Sequence, residues 1–185
     1  MQRYEKILNL IDIFQPKTLC EIGVWNGDNA IRMINAASKY NEVSYIGYDL
    51  FEDGSAEIDK SEFNVKPNFS RDDVMSHILQ KCPTDKISLV KGNTRETLRE
   101  LCVDFAFIDG GHSLETIGHD YECLKSSSVI VFDDYYLPDH QGFMPDINEF
   151  GCNRIVDKLP HAIIDTQDPI VGGGFVALAV VFGAA

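Results

Sequence analysis

This chain is poor in positive charge. Its 185 residues include 16 Lys or Arg against 29 Asp or Glu, a net charge of −13 and a pI of about 4.6. Such a surface repels polyphosphate, which argues against non-specific binding to nucleic acid or to an anionic membrane. Long hydrophobic runs are also missing. The longest, residues 175–182, is too short to cross a bilayer and reads as a buried strand. No secretory leader is recognisable, because the first six residues are charged and no apolar stretch follows them. The five cysteines (Cys20, Cys82, Cys102, Cys123 and Cys152) are scattered and odd in number and form no Cys-x-x-Cys. That pattern fits a reducing cytoplasm better than a disulfide framework.

What is present is ordinary for a globular protein, 44% hydrophobic and 24% charged, and the length suits a single domain spanning 1–185. Apolar Tyr4, Ile7, Leu8, Leu10, Ile11 and Phe14 recur at helical spacing until Pro16. Strands are expected at residues 18–25, 44–50, 87–90, 103–108, 129–132, 161–165 and 175–182. Helices are expected over 28–38, 72–81, 95–102, 113–125 and 147–159. Residues 51–72 hold no sustained period and are read as a lid-like insertion. The glycines at 172–174 predict that the last two strands pair antiparallel. Strands alternate with helices throughout, so the class is α/β.

Two turns carry chemistry. Glu21-Ile-Gly23-Val-Trp25-Asn-Gly27 lies between a strand and a helix, where glycines let backbone and helix N-terminus approach a ligand. Asp49 follows 22 residues after Gly27, at the end of the next strand, where a carboxylate reaches ribose hydroxyls. Trp25 stands where a dinucleotide fingerprint needs its middle glycine, which disfavours a pyrophosphate. An acid within the turn suits a nucleoside with a cationic or zwitterionic tail. The second turn is Phe105-Ala-Phe-Ile-Asp109-Gly-Gly-His112, and 24 residues after Asp109 come Asp133 and Asp134. Both acidic groups end short apolar runs. On neighbouring strands about 4.8 Å apart they can converge on one point. Three converging carboxylates repel unless a cation or proton intervenes, which suggests a divalent ion with His112 as a nearby base. The plainer alternative is that these acids cap helices and solvate loops.

Taken together, these motifs resemble those of class I S-adenosylmethionine-dependent methyltransferases over residues 18–182. The first turn (Glu21, Gly23, Trp25, Gly27) and Asp49 match the cofactor motif and the ribose acid, and Gly92-Asn93-Thr94 matches the adenine-side loop. More narrowly, Asp109-Gly-Gly-His112, Asp120 and Asp133-Asp134 are similar to the metal-dependent O-methyltransferase branch that includes the macrocin and mycinamicin sugar methyltransferases. The resemblance implies a Rossmann-like, seven-stranded, mostly parallel sheet with one antiparallel strand and helices on both faces. It implies S-adenosylmethionine bound by Glu21, Gly23, Trp25, Gly27, Asp49, Asn93, Thr94 and Asp109. It also implies Mg²⁺ (or Mn²⁺) held by Asp109, Asp133 and Asp134, with His112 and Asp109 catalytic. The chain departs from that branch in having Ser126-Ser-Ser128 where a glycine pair is usual, and only about seventeen residues before the first strand.

The expected reaction is therefore O-methylation of a hydroxyl on a small-molecule or sugar acceptor, with neither nucleic acid nor membrane as partner and homo-oligomerisation left open. Two alternatives stand beside it: a non-catalytic nucleoside-binding module, and an NAD-dependent oxidoreductase. Adjacent strand residues point to opposite faces, so Asp133 and Asp134 can act together only if the chain leaves strand geometry there. Trp25, Tyr135, Tyr136 and Phe143 either wall the site or pack. His77, His119, His140 and His161 read as surface or capping residues, His140 being the one closest in sequence to the acids, and the pairs Asp72-Asp73 and Glu52-Asp53 as solvated.

Overall fold

The computed structural model describes residues 2–84, 86–137, 146–169 and 175–183. Seven strands, β1 (Thr18–Ile22), β2 (Ser44–Asp49), β3 (Ile87–Lys91), β4 (Phe105–Ile108), β5 (Val129–Tyr136), β6 (His161–Pro169) and β7 (Phe175–Phe182), form one sheet in the order β3-β2-β1-β4-β5-β7-β6. β7 runs antiparallel to both its neighbours, and every other pairing is parallel. Seven helices accompany them among the described residues: α1 (Gln2–Phe14), α2 (Asp28–Ala37), α3 (Ala56–Ser61), α4 (Arg71–Lys81), α5 (Thr94–Thr97), α6 (Leu114–Leu124) and α7 (Asn153–Val156).

The central strands read as continuous apolar runs because both of their faces are covered. Leu19, Phe105, Phe107, Val129 and Val131 pack with α1, α2 and α4. Cys20, Ile22, Ala106, Ile108, Ile130 and Phe132 pack on the other face with α6 and α7. Burying a side chain of the size of Phe105 or Phe132 contributes about 1.5–3 kcal/mol. β1 lies between β2 and β4, so the chain leaves the sheet centre in opposite directions from there. The crevice this opens at the carboxyl ends of β1 and β4 is where ligands bind in such sheets.

Two expected helices shrink. Over 95–102 only α5 is helical; Leu98 turns extended, is fully buried, and the Leu101 N–H bonds to the Cys123 carbonyl. Packing has overridden a run of good helix formers. Over 147–159 the chain is turns and the short α7, because Gly151 adopts φ 82° and its N–H bonds to the His112 carbonyl. The insertion is not structureless: it holds a 3₁₀ turn (Phe51–Asp53) and α3, capped by Ser55. β5 and β6 run past their expected ends, each through a bulge. The glycines at 172–174, His140 and Phe143 lie outside the described residues.

Candidate active site

The first turn is built by close backbone contact. Gly23 sits at φ 90° directly after β1, and a Cβ on it would lie 2.0 Å from the carbonyl oxygen of Asp109. Gly23 donates to the Tyr48 carbonyl and Asp109 to that of Ile22, both at 2.8 Å, so β2, β1 and β4 are tied at the crevice. Gly27 caps α2 at φ 84°. Trp25 also has positive φ and its N–H donates to Asp49 Oδ2 at 2.8 Å, while Phe51 N–H donates to Oδ1 at 2.7 Å. Burial pushes the Asp49 carboxyl up despite these bonds. A carboxylate has roughly four acceptor sites, so two bound amides aim Asp49 and leave capacity for a ligand.

Glu21 is fully buried behind this turn. The Tyr45 hydroxyl and the Asn29 amide donate to it, while Asn29 Oδ1 is buried without a partner among the described residues. Burial, which outweighs those two bonds, pushes the Glu21 carboxyl up from 4.5 to about 8. Below pH 4.5 both folded and unfolded states hold the proton. Between 4.5 and 8 only the folded state does, so stability falls as pH rises through that window and levels off above it. Urea denaturation at pH 5.5 and 8.5 should show this loss in the wild type. In Glu21→Gln, which cannot ionise, the loss should shrink markedly; an equal loss in both proteins would assign it to other groups.

At the other turn, the bulge decides how the acids point. Asp134 adopts φ 56° and the β5–β7 register shifts between Phe132 and Tyr135, so the chain does leave strand geometry. Asp134 Oδ2 lies 2.5 Å from His112 Nδ1. Burial opposes charge on His112, but Asp134 outweighs it and holds the imidazole up at about 9. The same pairing holds Asp134 below its ordinary value against the effect of burial. Asp133 is buried. Its Oδ2 takes Nη1 of Arg3 at 2.6 Å and its Oδ1 has no partner among the described residues. Burial and the facing Asp109 drive the Asp133 carboxyl well up, with Arg3 opposing. Asp109 Oδ2 lies 3.8 Å from Lys66 Nζ.

This geometry bears directly on the expected ion. Mg²⁺ needs carboxylate oxygens that converge on open space, with room for several waters. Here the acids turn to three different cations, Asp133 to Arg3, Asp134 to His112 and Asp109 to Lys66. Among the described residues no group of three or more His, Cys, Asp or Glu is placed to hold a metal. As arranged, the acidic set does not fit the ion. Arg3, 130 residues from Asp133, gave no sign in the sequence beyond a charge at the start of an amphipathic helix.

Two clefts meet at the crevice. One, open to solvent, is lined by Trp25, Asp49, Asn93, Thr94, Asp109 and His112 among others. The second is lined by Glu21, Asn29 and Tyr4. Gly23, Trp25, Lys66 and Asp109 border both. The insertion borders the first cleft and is latched: Glu62 accepts from the Ser113 N–H at 2.9 Å and the Thr116 hydroxyl at 2.7 Å. Trp25 packs edge-on against Phe69 and donates to the Pro67 carbonyl. Asn93 caps α5. Asp120 is buried behind Thr94, pushed up to about 7 by burial. Tyr135 bonds to Asp157 and Tyr136 packs over Gly151, so neither walls a cleft. His77 pairs with Asp28, His119 bonds to the Thr94 carbonyl and His161 to that of Leu159, all structural roles.

Comparison with known proteins bears on this site. A family model described as a methyltransferase domain matches residues 20–135. No curated protein matches. Among solved structures, the O-methyltransferase TomG from Streptomyces achromogenes, in complex with SAM, is 17% identical, with TM-score 0.63 over 97% of this chain and 79% of that one. An O-methyltransferase from Bacillus cereus in complex with SAH is 15% identical, with TM-score 0.65 over 97% and 80%. The calicheamicin methyltransferase CalS11 is 16% identical, with TM-score 0.62 over 98% and 80%.

Proposed function

The chain belongs to the methyltransferase-domain family and has the class I fold, and from that premise we propose that it O-methylates a hydroxyl on a small molecule or sugar, using S-adenosylmethionine. The observation that carries the reading is the pair of clefts joined across Gly23, Trp25, Lys66 and Asp109 at the switch point of the sheet. The cofactor's two halves differ chemically in the way these clefts do. Asp49, with Asn93 and Thr94, suits the ribose and adenine. Buried Glu21, protonated in the free protein and drawn into its ionised form by a cation beside it, suits a cationic amino-acid tail together with the unpartnered Asn29 oxygen. A cradle that a single Cβ on Gly23 would fill supports the same placement.

When bound, S-adenosylmethionine supplies a methyl group on a cationic sulfur, open to in-line attack. The chain must then orient a neutral hydroxyl and take its proton. His112 borders the cleft and its Nδ1 is committed to Asp134, which leaves Nε2 to face an acceptor. Asp134 sets the tautomer and stabilises the imidazolium that forms, as the third member of a nucleophile–base–acid set does. Asp109 would position the acceptor or the cofactor at the junction. The latched segment 55–66 would act as lid over both. The acceptor's identity stays at the level of a hydroxyl compound, and the magnesium implied by the resemblance has no part in these steps.

Calorimetry tests the cofactor. S-adenosylmethionine and S-adenosylhomocysteine should bind, and NAD should not. Asp49→Asn turns one of two acceptor oxygens into a donor, which disturbs either the ribose contact or one of the Trp25 and Phe51 amides that aim the side chain, and should weaken binding by about 1.5–3 kcal/mol. Amide exchange over 55–66 should slow on saturation if that segment is the lid. Unchanged affinity in Asp49→Asn would remove the ribose assignment, and preferential NAD binding would remove the function.

A further inference from the structure

We propose that Arg3 is the resident counter-cation of the acidic centre, so that docking of α1 does there what a divalent ion would otherwise do and methyl transfer needs no added metal. The proposal deepens the methyltransferase reading and rests on it only where turnover is measured.

The placement of Arg3 is specific. Its Nη1 meets Asp133 Oδ2 at 2.6 Å and lies 4.0 Å from Asp134 Oδ1, while Nε lies 3.7 Å from Asp168 Oδ2. The Asp168 carboxylate also accepts the Arg3 N–H at 3.0 Å, an acid at the first turn of α1 where the helix dipole favours one. The guanidinium lies 5.4 Å from the centre of the Tyr4 ring. The Asp133 side chain is only 1% exposed and that of Arg3 15%, so neither charge is left to solvent. α1 is itself anchored by Ile7, Leu10 and Ile11 in the core, so its first turn is not free to drift from the site.

Charge balance points the same way. Asp109, Asp133 and Asp134 face Lys66, Arg3 and His112, three acids against three groups that carry or can carry positive charge. A divalent ion entering there would meet the guanidinium on Asp133 Oδ2 and the imidazole on Asp134 Oδ2, with Asp133 Oδ1 the unpartnered oxygen of that pair of acids among the described residues. Arginine brings a permanent charge and a planar fork of donors, which suits bridging two carboxylates. It brings no open coordination position for a hydroxyl. Arg3 is thus a positioning residue: it steadies Asp133 and Asp134, and through Asp134 the His112 imidazole, which then removes the proton unaided by a Lewis acid.

The test uses Mn²⁺ alone, followed by loss of the free-ion electron paramagnetic resonance signal, with turnover measured separately. Wild-type protein should show no site tighter than about 1 mM, and its methyl transfer should be unaffected by excess chelator. Arg3→Met keeps the stem but removes the charge, and it should gain a Mn²⁺ site about tenfold or more tighter, lost again in Arg3→Met/Asp133→Asn. If Arg3→Met melts too early to titrate, Arg3→Lys serves instead: it restores a charge and should bind no Mn²⁺ while keeping part of the turnover. A micromolar wild-type site that Asp133→Asn abolishes, or turnover that stops in chelator and returns with Mg²⁺, would overturn the proposal. So would Arg3→Met with wild-type turnover and no gain of metal, or Arg3→Lys that binds Mn²⁺ tightly. The titration stands without turnover, so a chain that transfers no methyl group would refute the function and still leave the metal result to decide on Arg3.

Discussion

Gly23→Ala should cost this protein about 2–5 kcal/mol, the sum of overpacking and a left-handed backbone. The added methyl would fall 2.0 Å from the Asp109 carbonyl oxygen and 2.6 Å from its carbon. Both are backbone atoms, held by the Asp109 N–H to Ile22 carbonyl bond at 2.8 Å, so no side-chain rotation relieves the clash. The β1 and β4 ends must part, and the junction of the two clefts opens with them. A chain of this size should then melt lower by on the order of 10 °C and lose cofactor affinity even where still folded. Gly118→Ala is the control. Its Cβ would meet only Ile155 Cδ1 at 3.8 Å, inside α6, so the substitution should stabilise by about 0.5–1 kcal/mol. If Gly23→Ala and Gly118→Ala melt alike, the close approach at the switch point is not what holds the site together.

The second large effect is on rate. His112→Ala should lower kcat by about 10²–10⁴, the usual worth of a positioned base, with cofactor affinity little changed because Asp49 and the Gly23 turn are untouched. The sign of the pH effect follows from the partner. Asp134 holds His112 up at about 9, so near neutrality most of the imidazole carries the proton that a base must lack. The wild-type rate at saturating cofactor should therefore climb from neutral pH towards 9 and level off above it. An ordinary histidine would have levelled off near 6.5. In His112→Ala the climb should disappear. In Asp134→Asn the remaining rate should level off at lower pH, since the pairing that raises the imidazole is gone. A variant lacking His112 that turns over at the wild-type rate would move proton removal to another group.

How much of this could be read before the fold was known differs by element. Residues 103–108 and 129–132 are apolar throughout because β4 and β5 are covered on both faces, and that signal is local. The Ser113 cap of α6 was equally legible, since a cap depends on three neighbouring residues. The run at 95–102 misled because Leu98 and Leu101 had better partners across the molecule than along a helix. The run at 147–159 also misled, because it reads as helix through Gly151, whose positive φ is where that run fails.

The sequence by itself determined the α/β class, the switch-point turn from Glu21 to Gly27, the position of Asp49, and the fact that Asp109 and His112, like Asp133 and Asp134, follow short apolar runs. All of these depend on composition and spacing within a few turns of chain. Tertiary structure alone decided what those acids face. The Asp134 bulge forms where β5 pairs with β7, so its turn is a property of the sheet. The histidine's high pKa comes from the charge and hydrogen bond of Asp134, which outweigh the opposing effect of burial. Arg3 reaches Asp133 across 130 residues because α1 docks against β6 and the sheet, with Asp168 of β6 binding its first turn. Charge pairing at that separation leaves no periodic trace in the chain. A patch of like charge in sequence tells that a partner is needed, and only the packing tells whether that partner is an ion from solution or an arginine from the chain's own first helix.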